Sequence, residues 1–217
     1  MVIEWFGQAC VEVRTKPGPN GEVTVVFDPF DPKQLGLPLP KLTADILAVT
    51  HGHFDHNYTE GVGGEYTLID GPGEYEVKQT FLYGIPGYHD AQGGKERGAL
   101  TMYLLESEGI SLAHLSDIGQ KELTSEQLEL LEGVDVLFVP VGGTYTVDAK
   151  QAHELVSQIE PRIVIPMHFQ LPGMKVKLDG VDKFIKEMGL KPEETDKLKL
   201  AKKDLPQEET KLIVLKA

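Results

Sequence analysis

A single cysteine, Cys10, stands among the 217 residues, so no disulfide can form within the chain and a reducing cytoplasm is the expected compartment. That thiol is expected as a small buried hydrophobe on a strand. No apolar run is long enough for a membrane helix, and Glu4 interrupts the first residues, so neither a signal segment nor a membrane partner is expected. Basic patches interleaved with aromatics are also missing. With 34 acidic against 21 basic residues the formal net charge is −13, which repels a phosphate backbone and argues against nucleic acid as a partner. A small anionic substrate is still allowed, because bound divalent ions reverse the sign locally. There is no Gly-x-Ser-x-Gly elbow and Cys10 has no basic neighbour, so a Ser or Cys nucleophile is not expected. Nor does any linker, repeat or low-complexity tract divide the chain. With 41% hydrophobic residues, it is expected to form one domain over residues 1–217, built of two similar halves.

What the chain has instead is histidine in one place. The run Thr50-His51-Gly52-His53-Phe54-Asp55-His56-Asn57 puts three imidazoles and a carboxylate into six residues. A packed core has no use for them, since each costs free energy when buried without a partner. Each is also a standard ligand for zinc, manganese or iron. Ala44 to Val49, just before, reads as a short buried strand, so the cluster sits where a strand gives way to a loop. His51 and His53 face one side of an extended segment. Asp55 and His56 follow a bend and can face a second metal.

Strand and helix signals alternate along the rest of the chain. Ala9–Arg14 and Val23–Phe27 read as strands joined through the turn residues Lys16 to Gly21, and Asp28-Pro29 ends the second. Short strands are expected near 66–69, 75–77 and 80–83. A strand over 99–105 turns at Glu108-Gly109 into another over 110–115. Thr124 with Gln127 forms a capping box, Val134–Val141 is a buried-type strand, and Asp148 caps a helix that ends at Glu160-Pro161. A strand over 162–166, a helix over 181–188 stopped by Gly189, and a closing strand over 212–215 complete the pattern. The lysines between Lys191 and Lys203, mixed with acids, are expected on a solvated helix or hairpin. Strand-rich halves followed by helices imply an α/β fold: a four-layer αββα sandwich of two mixed sheets.

Further ligand types recur at strand ends. His168 follows Ile163-Val164-Ile165, His89 lies just past another strand, and Asp117 follows His114-Leu115-Ser116. Strand ends of one sheet tend to converge on one edge, which points to a metal centre. His114 rivals His89 as a ligand, while His153 is expected as a bystander on a helix.

The His51–His56 cluster, Asp28, His89, Asp117 and His168 resemble the metallo-β-lactamase superfamily. So do the phrases Gly71-Pro72-Gly73-Glu74-Tyr75, His114 to Gly119, Val141 to Tyr145 and Pro166 to Phe169. The likeness is closer to its small Zn-dependent hydrolases of bacteria and archaea, akin to the ascorbate-6-phosphate lactonase-like branch. The resemblance implies a sandwich with two divalent ions at one edge, zinc first, with manganese or iron accepted by the same residues. Carried over position by position, His51, His53 and His89 bind one ion and Asp55, His56 and His168 the other, with Asp117 bridging. Asp28 orients a ligand or the cluster loop. Tyr88 and Ser116 stand where the family frequently has glycine, and Gln8 where relatives often carry histidine.

Such a pair of ions generates hydroxide from a shared water and polarises a carbonyl or phosphoryl oxygen. Asp55 and Asp117 then orient the nucleophile, Asp55 relays a proton, and His114 is a candidate proton shuttle or a plain structural histidine. The expected function is hydrolysis of a small ester, lactone or phosphodiester. The alternatives are a nuclease of the same fold or a non-hydrolytic di-iron or metal-binding protein. Substrate choice is expected in the loops Asp31–Lys41, Asn57–Glu65 and Asp90–Arg97, where Lys95 or Arg97 can meet an anion.

Overall fold

The computed structural model describes residues 1–19 and 21–217; Asn20, part of the turn expected before Gly21, lies outside the described residues. Six strands form the first sheet, in the order Lys197–Lys199 (β15), Val2–Trp5 (β1), Val11–Gly18 (β2), Gly21–Phe27 (β3), Ile46–Ala48 (β5) and Thr67–Ile69 (β7). The second has eight: Glu193–Thr195 (β14), Lys211–Leu215 (β16), Ile163–Met167 (β13), Val136–Pro140 (β12), Ile110–His114 (β11), Ala99–Ser107 (β10), Thr80–Tyr88 (β9) and Gly73–Val77 (β8). Leu42–Thr43 (β4) and Val62–Gly63 (β6) make a small separate pair. Both main sheets are mixed, with β3–β5–β7 and β11–β12–β13 parallel and the hairpins antiparallel.

Alternation along the strands explains the layers. Val25 and Phe27 of β3, with Ile46 and Ala48 of β5, join the large core between the sheets; Val26 and Leu47 between them point the other way. Strands buried on both faces need cover on both. Across the core, Phe27 meets Tyr103 of β10 at 6.1 Å between ring centroids. On the outer side of the first sheet, Val26 and Leu47 join a second cluster with Cys10, Phe30, Leu35 and Val62.

The helices divide unequally. Ser125–Leu131 (α2), Ala149–Ile159 (α3) and Val181–Met188 (α4) all belong to the second half, and α3 turns Ala152, Leu155 and Ile159 into the main core. The expected capping boxes at Thr124 and Asp148 are both present, and Gly189 closes α4 in the left-handed region. Among its described residues the first half has a single short α-helix, Pro32–Leu35 (α1), capped by Asp31, so loops cover most of the outer face of its sheet. The α/β arrangement of two mixed sheets is as expected, with fewer helices on that side. Lys191–Lys203 departs from expectation: it is neither helix nor hairpin but supplies β14 to one sheet and β15 to the other, ahead of the 3₁₀ turn Lys202–Asp204. Both are edge strands, and their charges suit an edge: Lys197 pairs with Glu4 at 2.9 Å, and Glu193 and Glu194 pair with Lys211 and Lys216.

This topology gathers strand ends. In the first sheet Phe27 lies level with Ala48, so Asp28 and the loop after Val49 leave side by side. In the second, β9 and β11 both run antiparallel to β10, and β11–β13 run parallel, so residues following β9, β11 and β13 emerge at one edge.

Candidate metal centre

The residues at that edge are His51 to His56, His89, Asp117 and His168. They collect in two groups, one of His51, His53 and His89, the other of Asp55, His56, Asp117 and His168. Within each group one ligand atom per residue lies within 4.8 Å of the rest. Asp117 reaches both groups: its Oδ2 is 3.1 Å from His56 Nε2, 3.1 Å from His168 Nε2 and 3.5 Å from His89 Nε2. His114 and His153 belong to neither group.

Asp28 organises the second group from beneath. Fully buried at the end of β3, its carboxylate accepts the Thr50 N–H at 2.8 Å, the Thr50 hydroxyl at 2.7 Å and the His56 Nδ1–H at 2.8 Å. Holding the Nδ1 proton turns the Nε2 lone pair of His56 toward Asp117. Burial disfavours a charged His56, but the Asp117 and Asp28 carboxylates outweigh it and raise its pKa well above the usual value. Asp117 is also penalised by burial, and His168 and His56 reverse the balance, holding its carboxyl well below the usual range. In the first group the sign differs. Burial, reinforced by His56, pushes His51 down to about 2, and burial lowers His89 as well. Neutral imidazoles with free lone pairs are what a cation needs.

Four non-glycine residues here have left-handed backbones: Gln8 (φ 51°), Asp28 (φ 44°), Ser116 (φ 54°) and His168 (φ 54°). Such strain persists where the surroundings enforce it. Ser116 shows how: its Oγ donates to Thr50 Oγ1 at 2.7 Å and its N–H to His114 Nδ1 at 3.2 Å. Serine, where the family frequently has glycine, thus ties the Asp117 loop to Thr50 and His114. The glycines nearby serve close approach. A Cβ at Gly142 would strike the His168 carbonyl, and one at Gly119 would come within 2.5 Å of the His89 carbonyl.

Two residues change standing in the structure. His114, offered by sequence as a first-group ligand, a proton shuttle or a plain structural histidine, takes the last of these roles. Its Nε2–H donates to the Ala9 carbonyl at 2.9 Å, its Nδ1 accepts from Ser116, and its ring stacks on Phe27 at 5.2 Å. With both nitrogens engaged in the core, it holds the loop that carries Asp117. Gln8 gains importance: it is fully buried, donates Nε2 to Asp55 Oδ2 at 2.8 Å, and brings the same nitrogen to 2.5 Å from His168 Nε2.

Above the groups lies a cleft of about 460 Å³, lined among others by Phe54, Asp55, His89, Arg97, Tyr145 and Val176. Of the loops expected to frame it, Asp90–Arg97 does so; Tyr145 comes from one of the phrases that carried the family resemblance, and Val176 from a segment that carried no sequence signal for the site. Asp90 fastens that loop, accepting backbone N–H groups from Gln92, Gly94, Glu96 and Arg97 at 2.8–3.0 Å. Those bonds, the one from Arg97 foremost, hold its carboxyl at about 2. No helix among the described residues is long and apolar enough to cross a membrane.

Comparison with known proteins agrees with this geometry. Residues 2–168 match the family model described as a beta-lactamase superfamily domain. The crystal structure of a candidate Zn-dependent hydrolase of the metallo-β-lactamase superfamily from Thermotoga maritima shares 34% identity and a TM-score of 0.78. The match covers 99% of this chain and 97% of that one. Proteins named UPF0173 metal-dependent hydrolase are similar as well. The one from Methanopyrus kandleri is 28% identical over 222 residues, 88% of this chain and 94% of its own. The one from Pyrococcus abyssi is 28% identical over 183 residues, 69% of this chain and 79% of its own. By matched model, fold and identity, the chain belongs to the metallo-β-lactamase superfamily.

Proposed function

We propose that the chain is a metal-dependent hydrolase in which each ligand group holds one divalent ion, zinc foremost, and that its substrate is a small ester, lactone or phosphodiester. The observation that carries this is chemical fit. His56 Nε2 and Asp117 Oδ1 are buried without a hydrogen-bond partner beside the site-facing Nε2 atoms of His89 and His168, a costly arrangement unless cations take the lone pairs. Bound there, the ions would supply Lewis-acid polarisation of the scissile group and lower the pKa of the attacking water.

The protein's own part follows from the contacts. His51, His53 and His89 offer ring nitrogens to one ion; Asp55, His56 and His168 serve the other. Asp117, within reach of histidines from both groups, spans them. Asp28 fixes the tautomer of His56. Asp55 is the carboxylate we assign to proton transfer, because it lines the cleft with Oδ2 fixed by Gln8, which leaves Oδ1 for the substrate side. The buried, solitary Cys10 favours a cytoplasmic protein, and a cleft of about 460 Å³ favours a small-molecule substrate. Metal-loaded protein should turn over one class in a panel of lactones, carboxyl esters, phosphodiesters and β-lactams. Chelation and Asp117→Asn should abolish that turnover. Iron in the site with no turnover across the panel would refute the assignment.

A further inference from the structure

The mouth of the cleft carries a charge that the rest of the molecule leaves unanswered. Of the three arginines, Arg14 pairs with Glu4 and Glu12, and Arg162 with Asp135. Arg97 has no carboxylate within 4.0 Å among the described residues, in a chain of net charge −13. Its guanidinium instead lies over the Tyr145 ring, 5.8 Å from the centroid, and both residues line the cleft that holds Asp55, His89 and Asp117. A cation on an aromatic face keeps its N–H donors available in the plane of the guanidinium. The backbone beneath it is fixed, since Asp90 grips the N–H groups of both Glu96 and Arg97. Glu96, the neighbouring carboxylate on the cleft wall, accepts a hydrogen bond from the side chain of Gln92. The same cleft also offers apolar surface: Phe54 and Tyr145, 40% and 42% exposed, line it together with Val176.

We propose that Arg97, held over Tyr145, is an anion subsite, and that the enzyme selects small substrates with an oxyanion, carboxylate or phosphate, at the far end of an apolar body. This rests on the hydrolase reading for the reacting end and on the Arg97 geometry alone for the other. Two oxygens of one anion can take two guanidinium N–H bonds, a match that a lysine at the same place would not give. The apolar rim accounts for the middle of the substrate, which contacts Phe54 and Tyr145 instead of water.

Calorimetry on the metal-loaded full chain tests the subsite without turnover. Glutarate and adipate are compared with valerate and hexanoate, so that one carboxylate can engage the metals in every case and only the second differs. The better dicarboxylate should bind about tenfold more tightly than its length-matched monoacid, the effect of one charge-assisted pair at a partly exposed site. Arg97→Gln should remove most of that difference. Lys95→Gln, which deletes the same charge from an exposed position outside the cleft, should retain it. Tyr145→Leu should weaken it while leaving the charge in place. A phosphonate in place of the distal carboxylate assigns the oxyanion, and a preference in either series supports the subsite. Equal binding of diacids and monoacids by the native protein, or a preference that survives Arg97→Gln, would overturn it. Discrimination by binding together with an inert substrate panel would instead remove the hydrolase reading and leave the subsite standing.

Discussion

Asp28→Asn isolates the part of the site that is pure positioning. The change is nearly isosteric, and asparagine tolerates the left-handed backbone at φ 44°, so strain does not confuse the outcome. The native carboxylate accepts three hydrogen bonds, from the Thr50 N–H, the Thr50 hydroxyl and the His56 Nδ1–H. An amide has one acceptor end. Whichever way it sits, at least one buried donor then faces another donor, at a cost of about 1–3 kcal/mol. The remaining bonds also lose their charge assistance, and breaking a buried pair of this kind costs roughly 3–5 kcal/mol in all. Urea unfolding of metal-free protein should therefore show a loss near the lower end, about 3 kcal/mol, with the slope unchanged. A second consequence concerns metal. If His56 answers the amide N–H by moving its proton to Nε2, the nitrogen facing Asp117 is no longer a lone pair. Chelator competition should then show affinity for one ion reduced by about 10- to 100-fold. Native stability and native affinity for both ions in the Asp28→Asn variant would refute the positioning role.

Three further outcomes follow. Gly142→Ala should displace His168, because a Cβ there collides with the His168 carbonyl; elemental analysis should find metal lost from the second group with the fold intact by circular dichroism. Asp90→Asn should raise amide exchange at Gln92, Gly94, Glu96 and Arg97, the four N–H groups it holds. In the native protein that carboxyl titrates at about 2, below its unfolded value, so its contribution to loop order is present above pH about 4 and is lost as pH falls through about 2. Exchange rates that stay flat over that window would remove Asp90 from the loop. His114→Phe should leave metal content at the native level, since the ring is bonded to Ala9 and Ser116 and not to either group; loss of both ions would restore it to the site.

How much of this was legible beforehand depended on whether a property is local. Strand alternation, the capping boxes at Thr124 and Asp148 and the stop at Gly189 are local, and they stand where the sequence places them. The gathering of His51–His56, His89, Asp117 and His168 was legible through their shared address at strand ends. The edge strands β14 and β15 were not, because short charged segments form strands only when a sheet edge is offered to them. For His114 the sequence left shuttle, ligand and structural roles open, since the partners that decide for the structural one are a backbone carbonyl 105 residues away and an amide two residues on. Gln8 shows the same limit: the residue stood out, but its approach to Asp55 and His168 depends on a left-handed turn that glutamine does not announce. Tyr145 and Val176 reach the cleft by tertiary packing alone.

Metal stoichiometry tests the central claim most directly. Protein saturated with zinc and freed of excess should carry two ions per chain by elemental analysis, and His53→Ala should carry one, because His53 serves only the first group. One ion in the native protein, or a His53→Ala variant that still holds two, would contradict the dinuclear account.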